Sequence, residues 1–157
     1  MLNQMTHTLG PIDPAAIPRA EREIGAPFPE EYKRFLLKYN GGRPQPADFL
    51  IHWGGQDWAD QYPVGVVDVF LGFRSGEQTD FFHRLEVYRE RIPADTIPIA
   101  DDPGGSLLLL GVRGSNTGRV FFWAHDYEVD EAQSADYSNI GIVAPDFDAL
   151  LQCLHDA

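Results

Sequence analysis

Cysteine is nearly missing from this chain: Cys153 stands alone among 157 residues, so no internal disulfide can form. Nowhere do about eighteen apolar residues run together, as a membrane-spanning helix requires. The opening residues, MLNQMTHTLGPIDP, hold no basic segment leading into an apolar stretch, so they do not read as a secretory leader. The expectation is a soluble cytoplasmic protein, with which a free thiol agrees. Histidine is sparse and scattered: His7, His52, His83, His125 and His155 occur singly, without the paired spacing that lets two imidazoles reach one metal.

The absence with the widest consequence is that of positive charge after Arg119. Residues 1–119 hold 16 acidic against 12 basic residues, a net of −4, whereas residues 120–157 hold eight acidic residues and no Lys or Arg, a net of −8. Direct binding to nucleic acid or to an anionic membrane needs clustered Lys and Arg and is therefore disfavoured. A basic protein partner is favoured instead. Acidic excess that merely keeps a protein soluble stands as the plain alternative for any one of these residues.

What is present argues for a folded single domain. Hydrophobic residues make up 43% of the chain, and three Trp and ten Phe are spread along it, enough for a core without metal or disulfide support. A first helix is expected from Asp13-Pro14, or from Pro18, to Ile24-Gly25. A second is expected with Pro29 in its first turn, where a missing N–H costs least, with Glu30 and Glu31 suited to its positive start, and it stops at Asn40-Gly41-Gly42. Tyr32, Phe35, Leu36 and Tyr39 recur at i, i+3, i+4 and i+7, so one stripe of this helix faces a core.

Residues 43–48 read as a proline-broken loop, 49–51 as a short strand and 64–70 as one strand rich in branched and aromatic residues. A third helix is expected from Thr79 or Asp80 to Arg91, before Pro93. Residues 96–100, 107–112 and 119–123 read as strands separated by glycine turns, the last two joined by a hairpin. Residues 126–137 form a polar, acidic connection, 140–143 a short edge strand, and a last helix starts at Pro145 with Phe147, Leu150, Leu151 and Leu154 on one face. The expected fold class is α+β: residues 13–157 as one domain with a mostly antiparallel sheet flanked by N-terminal and C-terminal helices, and residues 1–12 as an N-terminal extension.

Catalytic chemistry is hard to find. No Ser sits in a Gly-x-Ser-x-Gly elbow, and the glycine-rich turns at 104–106 and 114–118 lead into strands rather than into the helix that a phosphate loop requires. Cys153, three residues from Leu150, reads as a partly buried small hydrophobe rather than a nucleophile. His125, Asp126 and Glu128 could form an oxygen-rich site with Asp101-Asp102 if the two turns met, but acids beside glycine turns ordinarily accept from backbone N–H groups. No catalytic residue, no metal and no cofactor is expected. Trp53, Trp58 and Tyr62 around Asp57 and Asp60 have the composition of a protein interface, with core packing of the rings as the alternative.

The order of several motifs resembles one family. Glu21 with Ile24-Gly25, Phe28-Pro29, a Tyr with Phe-Leu-Leu, and Asn40-Gly41-Gly42 are similar to the opening of the SUKH superfamily. Ile97-Pro98-Ile99-Ala100 before Asp101-Asp102-Pro103-Gly104-Gly105 looks like its strand and glycine turn. Residues 119–126 resemble its strand ending in an aromatic and a His-Asp step, and Val143-Ala144 before Phe147 and Leu150-Leu151 resembles its closing helix. Ser106 departs from the pattern, since many members place Asn after the glycines. The resemblance spans residues 17–154. Bacterial members are mostly immunity proteins against polymorphic toxins, and fungal relatives regulate cell-wall synthesis.

The resemblance and the charge asymmetry together imply an immunity protein that binds and neutralises a cognate toxin whose surface is basic, such as a nuclease. The residues expected to meet it are Asp126, Glu128, Asp130, Glu131 and Asp136, with Trp53, Asp57, Trp58 and Asp60. A regulatory or scaffold domain without a toxin is the alternative, and a small metal-dependent hydrolase a further one. Oligomeric state is left open by the sequence.

Overall fold

A computed structural model describes residues 1–130 and 133–157. Helix α1 (Ala16–Ile24) buries Ala16, Ile17, Ala20 and Ile24 and ends at Gly25, whose left-handed φ of 73° lets its N–H donate to the Glu21 carbonyl at 2.9 Å. The Glu21 carboxylate then accepts the Phe28 N–H at 2.7 Å and lies 3.3 Å from Lys33 Nζ, so one acid ties the joint to the next helix. In α2 (Glu30–Tyr39) Pro29 occupies the cap position rather than the first turn, and Tyr32, Phe35 and Leu36 are buried.

The Asn-Gly-Gly stop has a packing reason as well as a conformational one. Asn40 takes φ 52° and is buried, its Nδ2 donating to the carbonyls of Gly10 and Phe73 and its Oδ1 accepting the Phe73 N–H at 2.7 Å. A Cβ on Gly41 would lie 2.8 Å from the Phe70 carbonyl oxygen, and one on Gly42 2.6 Å from that of Thr6. Only glycine lets the two backbones approach so closely.

The central sheet is antiparallel, with five strands in the order β5-β6-β7-β8-β9. These are β5 (Val69–Phe70), β6 (Thr96–Asp101), β7 (Leu107–Gly111), β8 (Val120–Trp123) and β9 (Ile140–Ala144). Pro98 sits in β6 beside a register shift, the position at which a ladder tolerates proline. Two short pairs lie against its edges. One joins β1 (Gln4–Thr6) to β2 (Arg43–Gln45) and meets β5 through Gly42 and Phe70. The other joins β3 (Asp48–Leu50) to β4 (Val64–Val66) and meets β9 through His52 and Ile142.

Alternation along β7 sends Leu108 and Leu110 to one face and Leu107 and Leu109 to the other. The first face carries the main core under α1, α2 and α4 (Phe147–Cys153), where Phe35 meets Phe70 and Phe147 with ring centroids 4.9 and 4.8 Å apart. The second face buries Leu107, Leu109, Phe121, Trp123 and Ile140 with Ile92, against Tyr88 at the end of α3 (Phe81–Tyr88). Asp80 and Asp146 cap α3 and α4, accepting the N–H groups of His83 and Ala149.

The fold is α+β with mostly antiparallel sheets, as the sequence implies, but three local expectations need correction. Residues 43–48 are not wholly loop, because β2 pairs with β1. Residues 64–70 are not one strand: the Val67 N–H donates to Ala47 while the Asp68 N–H donates to Asp101, so the chain passes there from one sheet to another. The third helix closes at Tyr88 rather than Arg91. The first twelve residues lie along the domain, with β1 paired and the Leu2 N–H donating to the Leu151 carbonyl at 2.7 Å.

Candidate functional site

Two segments far apart in sequence meet beside the β9 end of the sheet. The first is the loop of residues 51–63, which includes a short 3-10 turn at Ala59–Gln61; the second is the turn His125–Tyr127 that follows β8. The backbones of His52 and Ile142 exchange hydrogen bonds of 2.8 and 2.7 Å, which fixes the start of the loop. Gln56 Nε2 donates to the carbonyls of Ser138 and Ile140 at 3.3 and 3.4 Å, and the Trp53 indole N–H donates to the Tyr62 carbonyl at 2.8 Å.

On this frame the Trp58 ring stacks on Tyr127 at 4.0 Å with 5° between the planes. Trp53 meets Trp58 edge-on at 4.9 Å and Phe122 at 6.1 Å, and Tyr62 stands edge-on to both Trp58 and Tyr127. The Tyr62 hydroxyl donates to Asp126 at 3.1 Å. Trp53 and Trp58 are half-buried, serving the core with one part of their surface and leaving the other open. The packing expected of these rings is thus seen in part, and each ring keeps some exposed surface. Tyr127 is absent from the residues expected at the site; its only signal is an aromatic set among acids in the run from His125 to Asp130.

The acids of the site differ in what they hold. Asp57 and Asp60 are exposed, and their carboxylates have no ion pair or hydrogen bond among the described residues; the same is true of Asp130. Asp126 is engaged by Tyr62. Glu128 is clasped by Arg91, with contacts of 3.1 and 2.8 Å, and stands 3.5 Å from His125 Nδ1. The Arg91 guanidinium in turn lies over the rings of Tyr88 at 4.7 Å and Trp123 at 5.6 Å. Asp136 accepts from the Ser138 hydroxyl at 2.6 Å and from its N–H at 2.9 Å, which holds the carboxyl below its usual range. Glu131 lies outside the described residues.

The glycine turn after β6 does approach His125, whose N–H donates to Ser106 Oγ at 3.0 Å. Thus Ser106, where the resembled family often has Asn, supplies a side-chain acceptor for a backbone N–H. Asp102 accepts the N–H groups of Gly104 and Ser106 at 2.8 and 2.9 Å, and Asp101 is paired with Arg84 at 2.7 Å. Burial pushes the Asp101 carboxyl up to about 6, with Arg84 opposing the shift. Among the described residues no three of His, Cys, Asp and Glu converge as metal ligands. Cys153 is exposed on α4 rather than partly buried, its Sγ donating to the Leu150 carbonyl at 3.2 Å.

No helix among the described residues is long and apolar enough to cross a membrane. The chain is 25% identical over 120 residues to the SPbeta prophage-derived uncharacterized protein YokK of Bacillus subtilis (strain 168), a match covering 68% of this chain and 58% of that protein. It therefore spans less than two thirds of that relative's length. Residues 11–153 match the SMI1/KNR4 family (SUKH-1), whose members are in general immunity or regulatory proteins rather than enzymes. With the motif order, the antiparallel sheet and this match in agreement, the chain belongs to the SMI1/KNR4 family (SUKH-1).

Proposed function

We propose that the protein is an immunity protein, which neutralises a cognate toxin with a basic surface by covering it. The observation that carries this reading is the meeting of the 51–63 loop with the 125–127 turn. It presents stacked aromatics beside the unpaired carboxylates of Asp57 and Asp60. Rigid aromatics that exclude water, rimmed by charge, are the usual means of holding a protein partner. Family membership supports the same class of role, since the family pairs with toxins.

Within this surface the roles divide. Trp58 and Tyr127 supply contact area at little entropic cost, because their stack is already formed. Asp57, Asp60, Asp126 and Asp130 supply field and steering, while Glu128 is spent on Arg91 and Asp136 on Ser138. Binding, not catalysis, is the activity.

The test is co-expression with the protein encoded by the adjacent upstream reading frame. A basic, growth-arresting neighbour, rescued by this chain and purified with it as a one-to-one complex, is the expected outcome. A neighbour that is neither toxic nor basic would favour the regulatory scaffold reading, which the same family membership also supports.

A further inference from the structure

Beside the stacked rings the 51–63 loop encloses an open pocket of about 570 Å³, walled by Ile51, His52, Trp53, Gln56, Asp60 and Pro63. That volume lies within the range of about 300–1,000 Å³ typical of ligand sites, and it admits a side chain together with its flanking backbone. Its walls are preorganised. Trp53 is held by its indole N–H on Tyr62 and by edge contacts with Trp58 and Phe122. The Gln56 amide is spent on the frame, accepting the Gly54 N–H and donating to Ser138 and Ile140. The carboxylate of Asp60 is left without a partner among the described residues, and so is that of Asp57 on the same loop. No Lys or Arg occurs between Arg43 and Arg74 to neutralise them from within the segment.

An indole face and an unpaired carboxylate together match one side chain better than others. A guanidinium is planar, weakly hydrated and forked, so it stacks on an aromatic ring while donating two hydrogen bonds to a carboxylate. An ammonium lacks the planar face for stacking and meets the carboxylate as a point charge rather than a fork. We propose that this pocket receives an arginine side chain from the basic protein partner, its guanidinium against Trp53 and paired with Asp60. This deepens the proposed function and rests on it for the identity of the partner.

The test is a two-dimensional NMR titration of the full chain with acetyl-Gly-Arg-Gly amide, followed at the Trp53 indole N–H and the amides of residues 51–63. Lysine and citrulline peptides of the same length serve as comparisons. Saturable shifts confined to this loop are expected for the arginine peptide, weaker binding for lysine, and about tenfold weaker binding for citrulline and for Asp60→Asn, as loss of one charge-assisted pair predicts. Asp60 is exposed and unpartnered, so the rest of the Asp60→Asn spectrum should be unchanged. Absence of saturable shifts at 51–63, equal binding of citrulline, or indifference to Asp60→Asn would overturn the assignment. If toxin rescue succeeds while the peptide fails, only the pocket assignment falls; if the peptide binds and no toxin is found, the pocket stands and the partner reading falls.

Discussion

Tyr32 carries the costliest single atom in the core. Its ring packs against Phe28 and Phe147, while its hydroxyl is the one buried side-chain polar atom among the described residues without a hydrogen-bond partner. Burial accordingly pushes its pKa upward. A buried unsatisfied hydroxyl costs about 1–3 kcal/mol, so Tyr32→Phe should leave stability unchanged or raise it by about 1 kcal/mol in denaturant unfolding. A loss would mean that the hydroxyl has a partner. Asp101 gives a pH signature of opposite sign to an ordinary salt-bridged acid. Its folded pKa of about 6 exceeds the usual 3.8, so the folded state holds the proton more tightly than the unfolded chain. Its contribution to stability is therefore complete below about pH 4 and lost as the pH rises through 6, by at most about 3 kcal/mol. Thermal melts of Asp101→Asn should lack that part of the slope.

At the scale of elements, the loop between β3 and β4 is held at its start by the backbone pair of His52 with Ile142 and further along by its rings. Trp58 joins it to Tyr127, a stack worth about 0.5–1.5 kcal/mol beyond the area it buries. Trp58→Ala should speed hydrogen exchange of the 54–62 amides well above that of β7 and β8, with a global loss of only about 1–2 kcal/mol. Uniform acceleration would instead make the stack part of the cooperative core. Here too lies the boundary of what the sequence discloses. Strands β6, β7 and β8 are legible because branched and aromatic runs alternate with glycine turns. The stripe of α2 is legible because Tyr32, Phe35 and Leu36 keep one period. The division of residues 64–70 is not, because Val67 and Asp68 choose different partners, Ala47 and Asp101, which local pattern cannot reveal. Likewise Trp58 reads as an interface aromatic, but its partner Tyr127 is named only by the pairing of His52 with Ile142.

At the scale of the whole molecule, the excess of twelve negative charges does not form one patch simply because two thirds of it falls after Arg119. Asp146 caps α4, Asp148 stands 3.5 Å from Arg34, Glu128 is clasped by Arg91 and Asp136 is turned onto Ser138. At the candidate site the carboxylates free to act at a distance come from two separate segments, Asp57 and Asp60 on one loop and Asp130 beyond the other turn, while Asp126 is engaged by Tyr62. Steering by exposed charge acts over about 8 Å at physiological salt, so it raises the rate of encounter and fades as ionic strength increases. Replacing Asp57, Asp60, Asp126 and Asp130 by asparagine should slow association with the proposed toxin partner by about tenfold at low salt and flatten its salt dependence, with little change in dissociation. Glu128→Gln should do the reverse, leaving the salt slope alone while loosening the 125–128 turn that Arg91 restrains. Stopped-flow association measured over a range of ionic strength separates the two. If the four-residue variant keeps the wild-type salt slope, the proposed partner is met on another face, and the stacked aromatics are core rather than interface.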